Sequence, residues 1–291
     1  MDFKVKGGRL KVEGGRRIPS TAKFVIGVFS FLLPLSTFLL TSCEREIDID
    51  YHQVEPIYVV EAYVNDEGMQ ARITQTNDMD DNTTESDISQ ATVVITGSDG
   101  STTRLPYTGN GYYKATATGT AGIEYRIDID LDGQHFTSTS TMQQTPELTQ
   151  FRFVWKKVLS ERFLVGELSF LDIPNESNWY FFHIYRNGIG YRWAVKRDDT
   201  DPNKEMQQFF NIAREGSDDK DMLHDGDNLR IEMRAIDQRS YEYLYSMQIM
   251  DNTGTNPIQN FTGGCLGYFS AYSQITFYET FYLKDVEEEE E

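Results

Sequence analysis

The chain has 291 residues, of which 27 are basic and 46 acidic, so its formal net charge is −19. This excess of acidic side chains argues against nucleic-acid binding, which depends on lysines and arginines that neutralise phosphates. The chain has only two cysteines, Cys43 and Cys265, too few for a disulfide framework, so stability must come from hydrophobic cores that the 13% aromatic content can supply.

The first 42 residues have the parts of a bacterial secretory signal. Seven basic residues precede an apolar run at 24–40, and small residues follow it before Cys43. The lipobox consists of Leu40, Thr41, Ser42 and Cys43. The alternative is a transmembrane helix, but the run has 17 residues, fewer than the about 20 that cross a bilayer. We therefore predict a signal peptide over 1–42 and a lipid-linked Cys43 that anchors the mature protein in a membrane.

The mature chain begins with an acidic tether, predicted over 43–54. Without the 7 basic and 2 acidic residues of the signal, the remaining 249 residues include 20 basic and 44 acidic ones, a net charge of −24. Acidic residues directly after the lipidated cysteine resemble the surface-export signal of Bacteroidetes lipoproteins, which favours the outer membrane and exposure at the cell surface. The alternative is a solvated tether that carries no sorting signal. In that case the protein could equally face the periplasm.

Short alternating segments separated by turn residues follow the tether. The predicted strands are 57–64, 71–75, 91–96, 102–107, 112–116, 125–131 and 135–141, with a polar loop at 76–89. Asp132-Gly133 is the strongest hairpin signal, because both residues tolerate the positive φ of a tight two-residue turn. Seven short strands at this spacing predict an immunoglobulin-like β-sandwich over 55–145, similar also to carboxypeptidase-regulatory-like modules.

A second β-rich domain is predicted over 146–284, beginning at Pro146. Its predicted strands are 151–158, 163–170, 179–185, 191–196, 229–236 and a last strand region at 268–283, with a polar surface loop at 197–205. The apolar residues of 237–250 fit a period of 3.6 better than 2, and Asp237 can cap the first turn, which predicts one short helix. The glutamate run that ends the chain predicts a disordered acidic tail over 285–291. The predicted fold class is therefore mainly β.

Few patterns point to chemistry. Acidic residues at 128, 130 and 132, followed by Gly133, match the first half of a calcium loop, but the segment alternates like a strand and Thr139 stands where glutamate is needed. None of the four histidines has a metal-ligand spacing to another, and no nucleophile elbow, zinc or phosphate-loop motif appears. Cys265 lacks a neighbouring base and is interpreted as a buried small hydrophobe. We predict no catalytic residue, no metal and no cofactor.

One late loop has an unusual composition. It consists of Gly263, Gly264, Gly267, Tyr268 and Phe269. Three glycines in five residues allow positive φ and close backbone approach, which favours a loop folded tightly against a sheet. The alternative is a loop that docks a partner or ligand, since aromatic residues are common anchors at interfaces. The structural interpretation is preferred, and both remain open at the level of sequence.

Several segments together resemble a known family. They are the lipobox, residues 91–95, Gly111-Tyr112-Tyr113, residues 125–133 and the late motif at 263–273. This set resembles the DUF4249 family of Bacteroidetes lipoproteins over nearly the whole mature chain, with Cys265 as a departure where a small or apolar residue is expected. The family has no assigned activity. Its members are often encoded beside SusC-like TonB-dependent outer-membrane transporters, which implies an accessory role at the cell surface.

The expected function is therefore a non-catalytic lipoprotein that assists such a transporter in nutrient capture. The alternative is an independent surface adhesin or glycan-binding module, for which the tyrosines and tryptophans of the second domain supply stacking surfaces. A hydrolase is the third hypothesis. It would need paired carboxylates, or Cys265 in a cleft beside a base.

Overall fold

The computed structural model describes residues 55–76, 87–174, 176–198, 205–216, 222–253 and 257–289. The predicted signal peptide, lipobox and tether lie outside these residues, as do most of the predicted loops at 76–89 and 197–205. Residues from 53 onward form one compact unit. No helix within the described ranges is long and apolar enough to cross a membrane.

The described residues form a mainly β structure with one α-helix, which confirms the predicted fold class. The strands are β1 Tyr58–Val64, β2 Met69–Gln75, β3 Thr92–Gly97, β4 Thr102–Leu105, β5 Tyr107–Gly109, β6 Tyr112–Ala115, β7 Glu124–Leu131, β8 Gln134–Thr141, β9 Glu147–Val158, β10 Glu161–Leu171, β11 Trp179–Arg186, β12 Ile189–Arg197, β13 Glu205–Arg214, β14 Asn228–Ile236, β15 Leu266–Ala271, β16 Ser273–Thr280 and β17 Glu287–Glu288. The helix is α1, Gln238–Thr253, and a 3-10 turn covers Leu283–Asp285.

Two sheets enclose the first core. One has the strand order β15-β1-β2-β6-β5 and the other β4-β3-β7-β8. Every second side chain points between them, so that Val60, Ile127 and Phe136 are at most 1% exposed. Burial of each such side chain contributes about 1.5–3 kcal/mol. The predicted hairpin joins β7 to β8, with φ of 50° at Asp132 and 76° at Gly133, as a tight two-residue turn requires.

Two further sheets enclose the second core. Their strand orders are β13-β10-β9-β17 and β12-β11-β14-β16. Phe170 and Tyr180 meet edge to face at the centre, with ring centroids 4.8 Å apart, and the Tyr180 hydroxyl donates a hydrogen bond to Asp172. Strand β13 was not predicted, although Met206, Phe210 and other apolar residues alternate along it and face this core.

The chain returns to the first sandwich near its end. Strand β15 pairs in parallel with β1, from Val59 opposite Leu266 to Val64 opposite Ala271. After one residue, Tyr272, the chain enters β16 in the second sandwich. The region predicted as the last strands of the second domain is therefore divided between the sandwiches. The first core is built from residues 60–142 and 261–271, and the second from residues 164–235 and Phe281. The domain boundary at Pro146 stays a prediction.

Helix α1 covers part of the outer face of the β12-β11-β14-β16 sheet. Asp237 caps it, since one carboxylate oxygen accepts a hydrogen bond from the Ser240 amide at 2.9 Å, and the other accepts from the Thr141 amide of β8 at 3.2 Å. A third apolar cluster beneath the helix contains Phe181, Leu244 and Tyr272. The helix thus joins the two sandwiches. Its observed end, Thr253, lies three residues beyond the predicted end at residue 250.

Residues 285–289 differ from the disordered tail predicted over 285–291, of which residues 290 and 291 lie outside the described ranges. Glu287 and Glu288 form β17, which pairs in parallel with β9. Basic side chains of β9 and β10 offset the like charges of these glutamates. The sequence pattern alone does not show that these basic side chains lie beside the glutamates.

Candidate functional site

The glycine-rich loop predicted for packing or docking lies against the first sandwich. Gly263 and Gly267 have φ of 93° and 96°. A side chain at Gly263 would meet the backbone of His135, and one at Gly267 would lie 2.7 Å from the carbonyl carbon of Val60 and closer still to its oxygen. Both glycines are therefore required by close backbone approach.

The aromatic residues of this loop are largely covered. Phe269 is fully buried in the first core, and its amide donates to the side-chain oxygen of Asn260 at 2.8 Å. Tyr268 is half-buried and stacks on Tyr243 of α1, with ring centroids 4.9 Å apart. Gly264 is exposed, and a side chain there would meet nothing within 4 Å. A docking role for the loop, which stays a prediction, can use only its exposed part and not Phe269.

The sequence candidates for chemistry occupy ordinary structural positions. Cys265 is 2% exposed in the first core, and burial raises the pKa of its thiol to about 12, so the reactive thiolate is not formed at neutral pH. Asp128 lies on strand β7, where it accepts hydrogen bonds from Arg126, and His135 contacts Asp130 at 2.9 Å. Among the described residues, no group of three or more His, Cys, Asp or Glu side chains could hold a metal ion.

A surface of different character lies on the outer face of the β12-β11-β14-β16 sheet, where α1 does not cover it. It consists of Trp193, His183, Tyr185, Arg230 and Tyr278, here called the aromatic face. Trp193 pairs across strands with His183, while Tyr185 pairs with Arg230, which pairs with Tyr278. Paired residues point to the same side of a sheet, so the five side chains form two adjacent rows.

The aromatic face is both ordered and accessible. The rings of His183 and Tyr185 stack at 3.9 Å, and the Arg230 guanidinium lies 3.8 Å from the centroid of Tyr185. Trp193 is 38% exposed and Tyr278 is 75% exposed, while the side chain of Arg230 is 36% exposed. The surface therefore offers flat rings and a charged guanidinium held in a fixed arrangement.

A buried ion triad of Arg230, Glu232 and Arg234 lies on the same face of the sheet, where Glu232 stands opposite His183. Glu232 is 2% exposed and accepts hydrogen bonds from Arg230 and, at 2.6 Å, from Arg234. Arg234 also lies 4.6 Å from the ring centroid of Tyr272, at the junction of the sandwiches. Burial of such a triad costs desolvation free energy, so it is weak evidence for added stability, while the hydrogen bond to Glu232 restricts the position of Arg230.

His183 is neutral within the aromatic face. Burial, reinforced by the positive charge of Arg234, lowers the pKa of its imidazole to about 4. A neutral imidazole stacked on a tyrosine can bind a ring or donate one hydrogen bond, but it is not poised for proton transfer near neutral pH. The arrangement is therefore suited to binding rather than to acid–base chemistry.

The sequence predicted the strand at 179–185, which contains His183, but did not reveal this surface. The alternation of Phe181, His183 and Tyr185 indicates that the three share a face. It does not reveal that Arg230 and Tyr278 join them, because that depends on strand order. Only the strand order of the folded sheet shows that these side chains are neighbours.

Comparisons with known proteins give a family and little else. A family model described as “Domain of unknown function (DUF4249)” matches residues 44–277. No curated protein sequence matches the chain. Among solved structures, the chain is similar to a two fibronectin type-III domain segment from chicken tenascin, with 8% identity over 78% of this chain and 100% of that chain, and a TM-score of 0.21. A likeness at this TM-score carries no argument about fold or function.

Proposed function

Because this chain belongs to the DUF4249 family, we propose that it is a non-catalytic lipoprotein of the outer-membrane surface that assists a SusC-like TonB-dependent transporter in nutrient capture. The proposal starts from the predicted lipid anchor at Cys43 and from the acidic tether that follows it. It also draws on the transporters that are often encoded beside members of the family. The anchor would hold the two sandwiches beside other proteins of the same membrane.

The observation that carries a binding role is the aromatic face. Trp, Tyr and Arg are the residues that most often dominate binding energy at protein interfaces, and three of the five residues of this face have substantial exposure. Arg230 is held by Glu232 and Tyr185, so it would lose little conformational freedom on binding a partner. We assign the contact with the transporter or its cargo to this face.

The same face favours one alternative, an independent glycan-binding module. Exposed aromatic rings can stack on the apolar faces of sugar rings, and Arg230 could donate hydrogen bonds to sugar hydroxyls. In this case the lipoprotein would bind its ligand without a transporter.

The test is affinity purification of the lipoprotein from its own outer membrane in mild detergent, with mass spectrometry of the proteins that accompany it. The wild-type protein is compared with the double variant Trp193→Ala/Tyr278→Ala. Tyr245→Ala, which removes an exposed tyrosine from α1, serves as the matched control. We expect a stoichiometric TonB-dependent transporter with the wild type and the control, and at least a tenfold loss with the double variant.

One outcome would contradict the accessory role, and another would contradict only the assignment of the contact to the aromatic face. If the wild type is purified alone, the soluble sandwiches are tested on glycan arrays, where binding that requires Trp193 would establish the alternative. If the double variant retains the transporter fully, the aromatic face is not the contact surface.

A further inference from the structure

Among the described residues, one sheet edge of the second sandwich is only partly paired. Strand β9 has 12 residues and would be the edge strand of its sheet if β17 were absent. In the register of the structure, β17 pairs only with Val154 and Trp155. Exposed strand edges carry unpaired backbone groups that can accept a further strand, which is a common mode of peptide recognition.

The acidic tail is held at this edge mainly by charge. Glu287 meets Arg152 at 2.7 Å and Glu289 meets Lys156 at 3.1 Å. Glu288 forms an ion pair with Arg162 at 2.6 Å. These pairs are substantially exposed to solvent, and one further backbone hydrogen bond joins the Glu289 amide to the Trp155 carbonyl at 3.2 Å. Exposed ion pairs of this kind are weak, so they contribute little to holding the tail, although Val286 just before it packs against the second core.

The basic side chains also have partners other than the tail. Glu167 is 2% exposed and lies 3.1 Å from Arg152 and 3.0 Å from Lys156. Lys156 also lies 4.7 Å from the ring centroid of Phe209. Arg162 is held by Glu215 at 2.7 Å and lies over the ring of Trp155. Three cations are thus pre-organised along the strand edge by partners other than the tail.

The tail leaves the part of the edge before Val154 unfilled. A strand that continued in register towards its amino terminus would lie opposite Phe151, Arg152 and Phe153. Instead the chain forms the 3-10 turn at Leu283–Asp285. A cavity of about 230 Å³ is present at this point, lined by the rings of Phe151, Phe153 and Phe281 and also by the charged side chains of Arg152, Glu279 and Asp285.

We propose that the β9 edge is a docking site for an extended segment of a partner protein, apolar in its first half and acidic in its second, which adds as a parallel strand and displaces the acidic tail. The acidic half would take the places of Glu287 to Glu289 beside Arg152, Lys156 and Arg162. The apolar half would enter the cavity beside Phe151 and Phe153. The tail of the chain competes with the partner segment for the same basic side chains. Its presence therefore weakens the observed binding of the partner.

This inference does not depend on the lipid anchor or on a transporter. Its test uses the mature lipoprotein in mild detergent and a fluorescent peptide of sequence KTVTVEEE. The peptide KPVPVEEE has the same charge but lacks two backbone N–H groups, and KTVTVQQQ lacks the acidic half. The tail is weakened in the full chain by the triple variant Glu287→Lys/Glu288→Lys/Glu289→Lys, which places like charges beside the three basic side chains.

We expect the triple variant to bind KTVTVEEE about tenfold more tightly than the wild type does, a difference of about 1.4 kcal/mol. Binding should weaken with added salt, since the contacts are ionic. Both control peptides should bind at least about tenfold more weakly than KTVTVEEE. Arg162→Gln in the triple variant should lower the affinity about threefold, while Arg104→Gln, an exposed arginine of β4, should not change it.

Three results would overturn the proposal. The first is that the triple variant does not bind the peptide although it is folded. An unchanged unfolding midpoint would show that it is folded. The second is equal binding of the proline peptide, which would show a charge contact without strand addition. The third is a concentration-dependent dimer of the wild type that the triple variant abolishes, which would make a second copy of the chain the occupant.

Discussion

Gly267→Ala gives the sharpest test of how the two sandwiches are joined. The residue lies in β15, opposite Val60 of β1, and its φ is +96°. An added methyl group would lie 2.7 Å from the Val60 carbonyl carbon and 3.0 Å from its amide nitrogen. These are backbone atoms in the middle of a sheet, so they cannot move aside as a flexible side chain would.

Gly264 provides a matched control in the same loop. Its φ is +92°, but an added methyl group would meet nothing within 4 Å. Gly264→Ala should therefore cost only the positive-φ penalty, about 1–2 kcal/mol. Gly267→Ala carries the same penalty and in addition must displace β15 from β1, so we expect a total loss of at least about 3 kcal/mol.

The measurement is the free energy of unfolding from urea titrations, supported by thermal melting of the soluble sandwiches. For a chain of this size about 1 kcal/mol corresponds to roughly 2–4 °C. At about 3 °C per kcal/mol, the middle of that range, we expect a fall in Tm of about 3–6 °C for Gly264→Ala and at least about 9 °C for Gly267→Ala. If the two variants lose equal stability, close backbone approach is not the reason that position 267 requires glycine. The parallel pairing of β15 with β1 would then be weaker than described.

Two further predictions concern buried groups. Because burial raises the pKa of Cys265 to about 12, native protein lacking Cys43 should resist iodoacetamide at pH 8 and be alkylated only in denaturant; rapid native labelling, detected by mass, would show that the first core opens. Because the pKa of His183 falls from 6.5 to about 4 on folding, unfolded chains bind a proton that the folded protein excludes. Its contribution to stability is therefore complete above pH 6.5 and decreases as the pH falls towards 4, by about 2–3 kcal/mol. Urea titrations at pH 7 and 4.5 should show a smaller loss on acidification for His183→Asn than for the wild type, and parallel losses in both proteins would refute the assignment.

Local patterns predicted much of the fold because strands and turns depend on near neighbours. The alternation of 125–131 and the Asp132-Gly133 turn predicted β7, β8 and their hairpin, and Asp237 predicted the start of α1. Strand β13 was missed because it follows a polar insert, although its apolar residues alternate in the same way.

Non-local arrangement could not be predicted in the same manner. Residues 268–283 were expected to form the last strands of one domain, but β15 fills an edge of the first sandwich and β16 an edge of the second. The acidic run was expected to be solvated because like charges repel one another. Arg152 and Arg162, more than a hundred residues earlier, offset that repulsion only once β9 and β10 have folded beside it.

The sequence by itself determined the family, the mainly β class and the position of the helix, because these depend on motifs and on periodicity along the chain. Only the tertiary structure decided which side chains meet. It placed Arg230 and Tyr278 beside Tyr185, buried Phe269 behind the glycine loop and brought the acidic tail to β9. The physical reason is that a strand's pattern specifies which face is buried, whereas the neighbours of that face depend on strand order and register across the whole molecule.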